Sequence, residues 1–219
     1  MKRNDHISVL NELSASEDVF TAAQAKRLGV PRSALSKAVA AGRAVRILHG
    51  AYMLAGTPQQ PTDELAAVWK LTAPAAFSHE RTGRERWDGV AVGGSTAACL
   101  LEIGDFHLSP YRVYAPRRIN SRLEQASFAV RGVGYDEVAW VGGLPVTRIE
   151  RTLVDLCLDC EDPSLIEDAF DDACRKGVNL GKLRRMISEQ SGKRGAKERL
   201  RILEDALENK EGRDEIQDS

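Results

Sequence analysis

Two stretches of the chain carry residue types whose spacing could do chemistry. Val92-Gly93-Gly94-Ser95 is followed, after nine residues, by Asp105-Phe106-His107. A glycine turn and then two carboxylates is what two-metal nucleotidyl transfer needs, because both acids must hold the ions that bind a triphosphate. Here His107 stands in the place of the second acid, which leaves half of the required charge. Nucleotide chemistry through Gly94, Ser95 and Asp105 is therefore the alternative, and a Gly-Gly turn with Ser95 as helix N-cap is preferred. Cys157 and Cys160 have C-x-x-C spacing, but both sulfurs are expected on the apolar face of a helix, and no second Cys/His pair lies at zinc-finger distance. With no Ser-His-Asp order and no phosphate-cradling glycine loop, the chain is read as a non-enzyme with no metal and no cofactor.

Charge gives a stronger signal than these motifs. The whole chain has a formal net charge of −1, yet residues 1–57 hold eight bases (Lys2, Arg3, Lys26, Arg27, Arg32, Lys37, Arg43, Arg46) against four acids (Asp5, Glu12, Glu17, Asp18). The C-terminal residues 148–219 reverse this, with fourteen bases and eighteen acids. Such polarity suggests an anion-binding head on a neutral to acidic body.

The elements that must position those bases read as a winged helix-turn-helix. Ile7, Leu10 and Leu13 give a first helix one apolar edge, and Thr21 with Gln24 has the spacing of a capping box opening a second helix that stops at Gly29. Gly29-Val30-Pro31 is a tight turn. A third helix runs from about Pro31 to Ala41, burying Leu35, Ala38 and Val39 and turning Ser33, Ser36, Lys37 and Ala40 outward. Two β-prone runs, Ala44–Leu48 and Ala51–Leu54, then meet across His49-Gly50 as a hairpin. In this geometry Ser33, Ser36 and Lys37 would read base edges in double-stranded DNA, while Arg32, Arg43 and Arg46 would hold phosphates and His49 would stand at the wing tip. A head that binds a protein partner instead is the competing interpretation, and the basic balance argues against it.

Beyond Gly56–Pro61, the best linker candidate, residues 58–190 read as an α+β domain whose part from 147 to 190 is helical. Strands are expected over Gly89–Val92, Tyr111–Ala115, Ser127–Val130 and Glu137–Val141, with a helix over Ser95–Ile103. Thr147 and Glu150 have capping-box spacing, with Arg148, Arg151 and Asp155 on the helix they would open, and Asp162-Pro163 opens another. Arg151 and Asp155, four residues apart, fit an exposed ion pair. Helices over Leu180–Ile187 and Arg194–Glu208 follow; residues 191–219 are a charged amphipathic helix and a tail whose last ten residues are too polar to pack and are expected to be disordered. No apolar run approaches the roughly 20 residues that span a bilayer. With 42% apolar and 29% charged residues, the expectation is a cytoplasmic globular chain that meets no membrane.

Taken together, T-A-A-Q-A-K-R-L-G-V-P-R-S-A-L, R-I-L-H-G-A-Y, G-S-T-A-A-C-L-L-E-I-G-D-F, Y-R-V-Y-A-P-R-R and G-G-L-P-V-T-R-I-E-R-T-L-V-D-L resemble the AbiEi family of antitoxins from type IV toxin–antitoxin systems. The resemblance covers roughly residues 5–190 by order of motifs. It implies an N-terminal winged helix that represses its own operon by binding operator DNA, with inverted repeats. It further implies a C-terminal domain that opposes a nucleotidyltransferase toxin without a stable complex. His49 stands where the family often has Arg, and Leu101-Glu102 replace a common His-Gly pair. An Arg at a helix start is disfavoured by the macrodipole unless an anion or a carboxylate compensates. Arg148 and Arg151 are accordingly expected on a surface of the C-terminal part that meets a phosphate-bearing ligand.

Overall fold

A computed structural model describes residues 6–217 of the chain. Lys2, Arg3 and Asp5 of the charge count, and the last two residues of the tail, lie outside that range. The chain divides into two compact units, Met1–Val90 and Ala91–Ser219.

In the first unit α1 (His6–Glu17), β1 (Phe20–Thr21), α2 (Ala22–Arg27), α3 (Arg32–Ala40), β2 (Ala44–Leu48) and β3 (Ala51–Leu54) follow in the order of a winged helix, with β1 added to the expected hairpin. The sheet order is β1-β3-β2, antiparallel throughout. Thr21 caps α2 as its spacing predicts, accepting from the Gln24 backbone N–H while the Gln24 side chain accepts from the Thr21 backbone N–H. Leu10, Leu13, Phe20, Ala25, Val30, Leu35 and Ala38 close one apolar core.

The unit does not end near residue 57. It continues through α4 (Asp63–Leu71) to Val90 because buried polar groups tie that segment to the first two helices. Glu17 accepts from Lys70 Nζ, from the Ser78 hydroxyl at 2.6 Å and from the Ser78 N–H at 2.9 Å. Thr21 Oγ1 donates to the Pro74 carbonyl, and Gln24 Nε2 to the Ala76 carbonyl at 2.8 Å. Gly56–Pro61 is thus a loop inside the unit, and no composition shift marks the later division.

The second unit is built on a five-stranded mixed sheet, ordered β6-β5-β4-β8-β7. Its strands are β4 (Ala91–Val92), β5 (Tyr111–Ala115), β6 (Ala126–Val130), β7 (Val138–Val141) and β8 (Leu144–Thr147). The helices are α5 (Gly94–Leu101), α6 (Ile149–Leu158), α7 (Pro163–Arg175), α8 (Leu180–Ser191) and α9 (Ala196–Gln217). All five helices contribute to one core, which includes Ala98, Leu153, Leu156, Phe170, Leu183 and Leu200. This is the α+β class expected.

Five local expectations change. Strand β8 is added to the expected strands: it pairs with β7 over Leu144–Thr147, with Pro145 opposite Trp140, and with β4 at Val92–Val146. Thr147 is the last residue of β8 and caps nothing: Arg148 is the N-cap of α6 and makes no side-chain cap bond. The Thr147 hydroxyl is instead buried against the Thr152 hydroxyl at 2.7 Å, and Glu150 accepts from the Asn179 N–H and faces Lys182. Gly93, not Ser95, precedes α5 as its N-cap. Cys160 lies beyond α6 and is exposed, so of that pair Cys157 alone is in the core, its thiol pushed up to about 12 by burial. Helix α9 runs to Gln217, past the Glu208 end expected, so the polar tail continues a helix rather than leaving one.

Candidate nucleic-acid interface

The short α2 places the tight turn at Gly29, whose positive φ of 85° suits glycine, and Pro31 then fixes the entry to α3. Leu35 and Ala38 anchor α3 to the core, which forces Arg32, Ser33, Ser36, Lys37 and Ala40 to solvent. Arg43 follows the end of α3, and Arg46 leaves β2 on its exposed face. At the wing tip the Arg46 guanidinium contacts His49 Nδ1, and Arg46 Nε donates to the Leu48 carbonyl at 3.4 Å. Every candidate DNA-contact residue, Arg32, Ser33, Ser36, Lys37, Arg43, Arg46 and His49, is exposed, and Arg46 and His49 are brought into contact.

Residues 19–62 contain Lys26, Arg27, Arg32, Lys37, Arg43 and Arg46 and not one Asp or Glu. Arg27 is withdrawn from that set, because Glu80 takes both its Nη atoms at 2.7 and 2.9 Å and Phe77 lies 4.5 Å from its guanidinium carbon. A cleft of about 530 Å³ at the turn between α2 and α3 is lined by Lys26 and Arg32. The head can therefore meet an anion with α3, the cleft and the wing, none of which contributes a carboxylate of its own.

In the second unit, Arg151 is not on a surface. Its Nε donates to Asp155 at 2.9 Å, Nη1 to Glu137 at 2.8 Å and Nη2 to the Gly132 carbonyl at 3.2 Å. Arg131 joins Asp155 and Asp159 at 2.9 and 2.8 Å, Arg112 grips both oxygens of Asp159 at 3.0 Å, and the Tyr114 hydroxyl donates to Asp159 at 2.7 Å. Burial pushes the Asp155 carboxyl up to about 6 against the pull of Arg151 and Arg131. Burial would also raise Asp159, but hydrogen bonds from Arg112 and Tyr114 hold it below its ordinary value. The carboxylates of Asp155 and Glu137 thus compensate the arginine near the start of α6. Arg148 alone is exposed, donating to the Asp136 carbonyl at 3.1 Å.

Sequence spacing missed Arg112, Tyr114, Arg131 and Asp159 because their partners come from β5, the end of β6 and α6. Spacing carried no signal for this: the structure shows every position of α6 from 151 to 157 buried, and the polar residues there are paired internally. The glycines of the Gly93-Gly94 turn serve the same cluster. A Cβ on Gly93 would lie 1.9 Å from the Tyr114 ring, and one on Gly94 3.0 Å from Asp159 Oδ2. Asp105 follows the end of α5 and is exposed, and three residues later the chain returns to the helix start, where Thr96 Oγ1 donates to the Leu108 carbonyl at 3.2 Å.

Residues 8–55 match the family model described as transcriptional regulator, AbiEi antitoxin, which upholds for the N-terminal region the resemblance carried by its motifs. No curated protein matches the chain. Among solved structures, the chain is similar to the crystal structure of RV2827C protein from Mycobacterium tuberculosis, at 18% identity and a TM-score of 0.58 over 91% of this chain and 75% of that one. At that identity the likeness shows a shared fold. Among the described residues, no helix is long and apolar enough to cross a membrane.

Proposed function

We propose that the chain is an antitoxin-type transcriptional repressor that binds operator DNA of its own operon in the cytoplasm and has no catalytic activity of its own. The observation that carries this is the acid-free stretch from 19 to 62, folded so that α3 presents Arg32, Ser33, Ser36 and Lys37 while Arg43, Arg46 and His49 flank it. Ser33, Ser36 and Lys37 read major-groove base edges, and the arginines contact phosphates and set register. The match to an antitoxin regulator family supports this reading. The second unit counteracts a nucleotidyltransferase toxin without a lasting complex, and operator half-sites are inverted repeats.

The test is fluorescence anisotropy of the full chain on its upstream DNA and on a scrambled duplex. Ser33→Ala and Lys37→Ala should narrow the difference between the two DNAs, whereas Arg43→Ala and Arg46→Ala should weaken both alike. Equal losses on both DNAs in all four variants would refute the division of roles.

A further inference from the structure

We infer that the second unit carries a pocket for a small phosphoanion, of the size of a di- or triphosphate group, between the end of β6 and the start of α9. A cavity of about 420 Å³ lies there, within the range of small-ligand sites, and five bases line it: Arg131, Arg151, Lys193, Arg194 and Arg199. No carboxylate lines it. Asp155, Asp159 and Glu137 engage the half-buried Arg131 and the buried Arg151 from outside the lining, and Glu198, in the first turn of α9, lines other clefts.

The two kinds of base have different work. Arg131 and Arg151 are fixed in place by their acids, so they are preorganised and lose little freedom when an anion arrives. Arg131 commits two of its five N–H groups to carboxylates. Lys193 and Arg194 are exposed and, among the described residues, form no ion pair, while Arg199 donates to the Leu158 carbonyl at 2.9 Å. Crowding three such cations around a concavity is costly unless an anion neutralises them. Helix α9 begins at Ala196, itself in the lining, so the positive end of a 22-residue helix adds to the same field. Two arginines held rigid, two exposed cations with no ion pair among the described residues, Arg199 held only by a carbonyl and a helix start form a concave anion site rather than a flat basic face.

Isothermal titration calorimetry of the full chain at 150 mM salt tests this with pyrophosphate, tripolyphosphate and ATP. Saturable one-to-one binding is expected, weakened about tenfold or more by Lys193→Ala/Arg194→Ala with unchanged melting, and unaffected by Lys197→Ala, in the first turn of α9 outside the pocket. ATP binding more tightly than tripolyphosphate would assign a nucleotide, and equal affinity a free phosphoanion. No binding, an equal loss in Lys197→Ala, or Arg194-dependent binding of a DNA duplex with no saturable binding of the small anions would overturn the proposal. None of these outcomes bears on the winged-helix reading, which rests on other residues.

Discussion

Replacing Arg151 by alanine removes one of the two cations on a carboxylate that is fully buried, Asp155, and also frees Glu137 and the Gly132 carbonyl. Breaking one side of a buried pair costs about 3–5 kcal/mol, because the remaining charge stays out of water without its partner. For a unit of this size that corresponds to roughly 6–20 °C in melting temperature. Arg148→Ala, which loses one exposed bond to a carbonyl, should cost about 1 kcal/mol or less. The pH response sharpens the contrast. Asp155 titrates near 6, above its ordinary value of 3.8, so its contribution to stability is greatest below about pH 4 and is lost as pH rises through about 6. Arg151 is the strongest pull holding that carboxyl down, so the variant's penalty should be larger at pH 8 than at pH 5. The assay is differential scanning calorimetry of both variants at the two pH values. An Arg151→Ala melting temperature within about 2 °C of the parent at pH 8 would refute the buried-network account and restore Arg151 to a surface role.

Other expectations follow from the same contacts. Residues 1–90 should unfold cooperatively on their own, whereas residues 1–57, stripped of Lys70 and Ser78, should show no cooperative thermal transition by circular dichroism. Gly93→Ala should yield little folded protein, since its Cβ would fall 1.9 Å from the buried Tyr114 ring; soluble expression with a parental melting temperature would contradict that geometry. Thr147→Val should cost about 1 kcal/mol through the lost hydroxyl pair with Thr152, and Thr147→Ser should recover most of it in urea titrations.

The local parts of the fold were legible because their signals are local. The Thr21–Gln24 box, the Gly29 turn, the exposed face of α3 and the hairpin across His49-Gly50 all depend on residues within a few positions of one another, and each appears as the spacing requires. The Thr147–Glu150 spacing looks identical on paper to the Thr21–Gln24 box. It forms no cap because β8 claims Thr147 and buries its hydroxyl against Thr152, a competition that only the sheet reveals. The Arg112–Arg131–Asp159 cluster and the basic cavity at the start of α9 draw on residues dozens of positions apart, and the segment from 58 to Val90 is tied to the first helices by buried groups such as the Glu17–Lys70 pair. In each of these cases the pairing is long-range, and no period or motif in the chain encodes it.

The most direct test of the central claim is the salt dependence of the full chain's affinity for its upstream DNA, measured by gel shift from 50 to 200 mM salt beside a scrambled duplex. Four to six phosphate contacts, among them those of Lys26, Arg32, Arg43 and Arg46, predict a log–log slope of about −4 to −5, with the upstream DNA bound more tightly at every salt concentration. A flat salt response, or equal affinity for the two DNAs, would contradict the account.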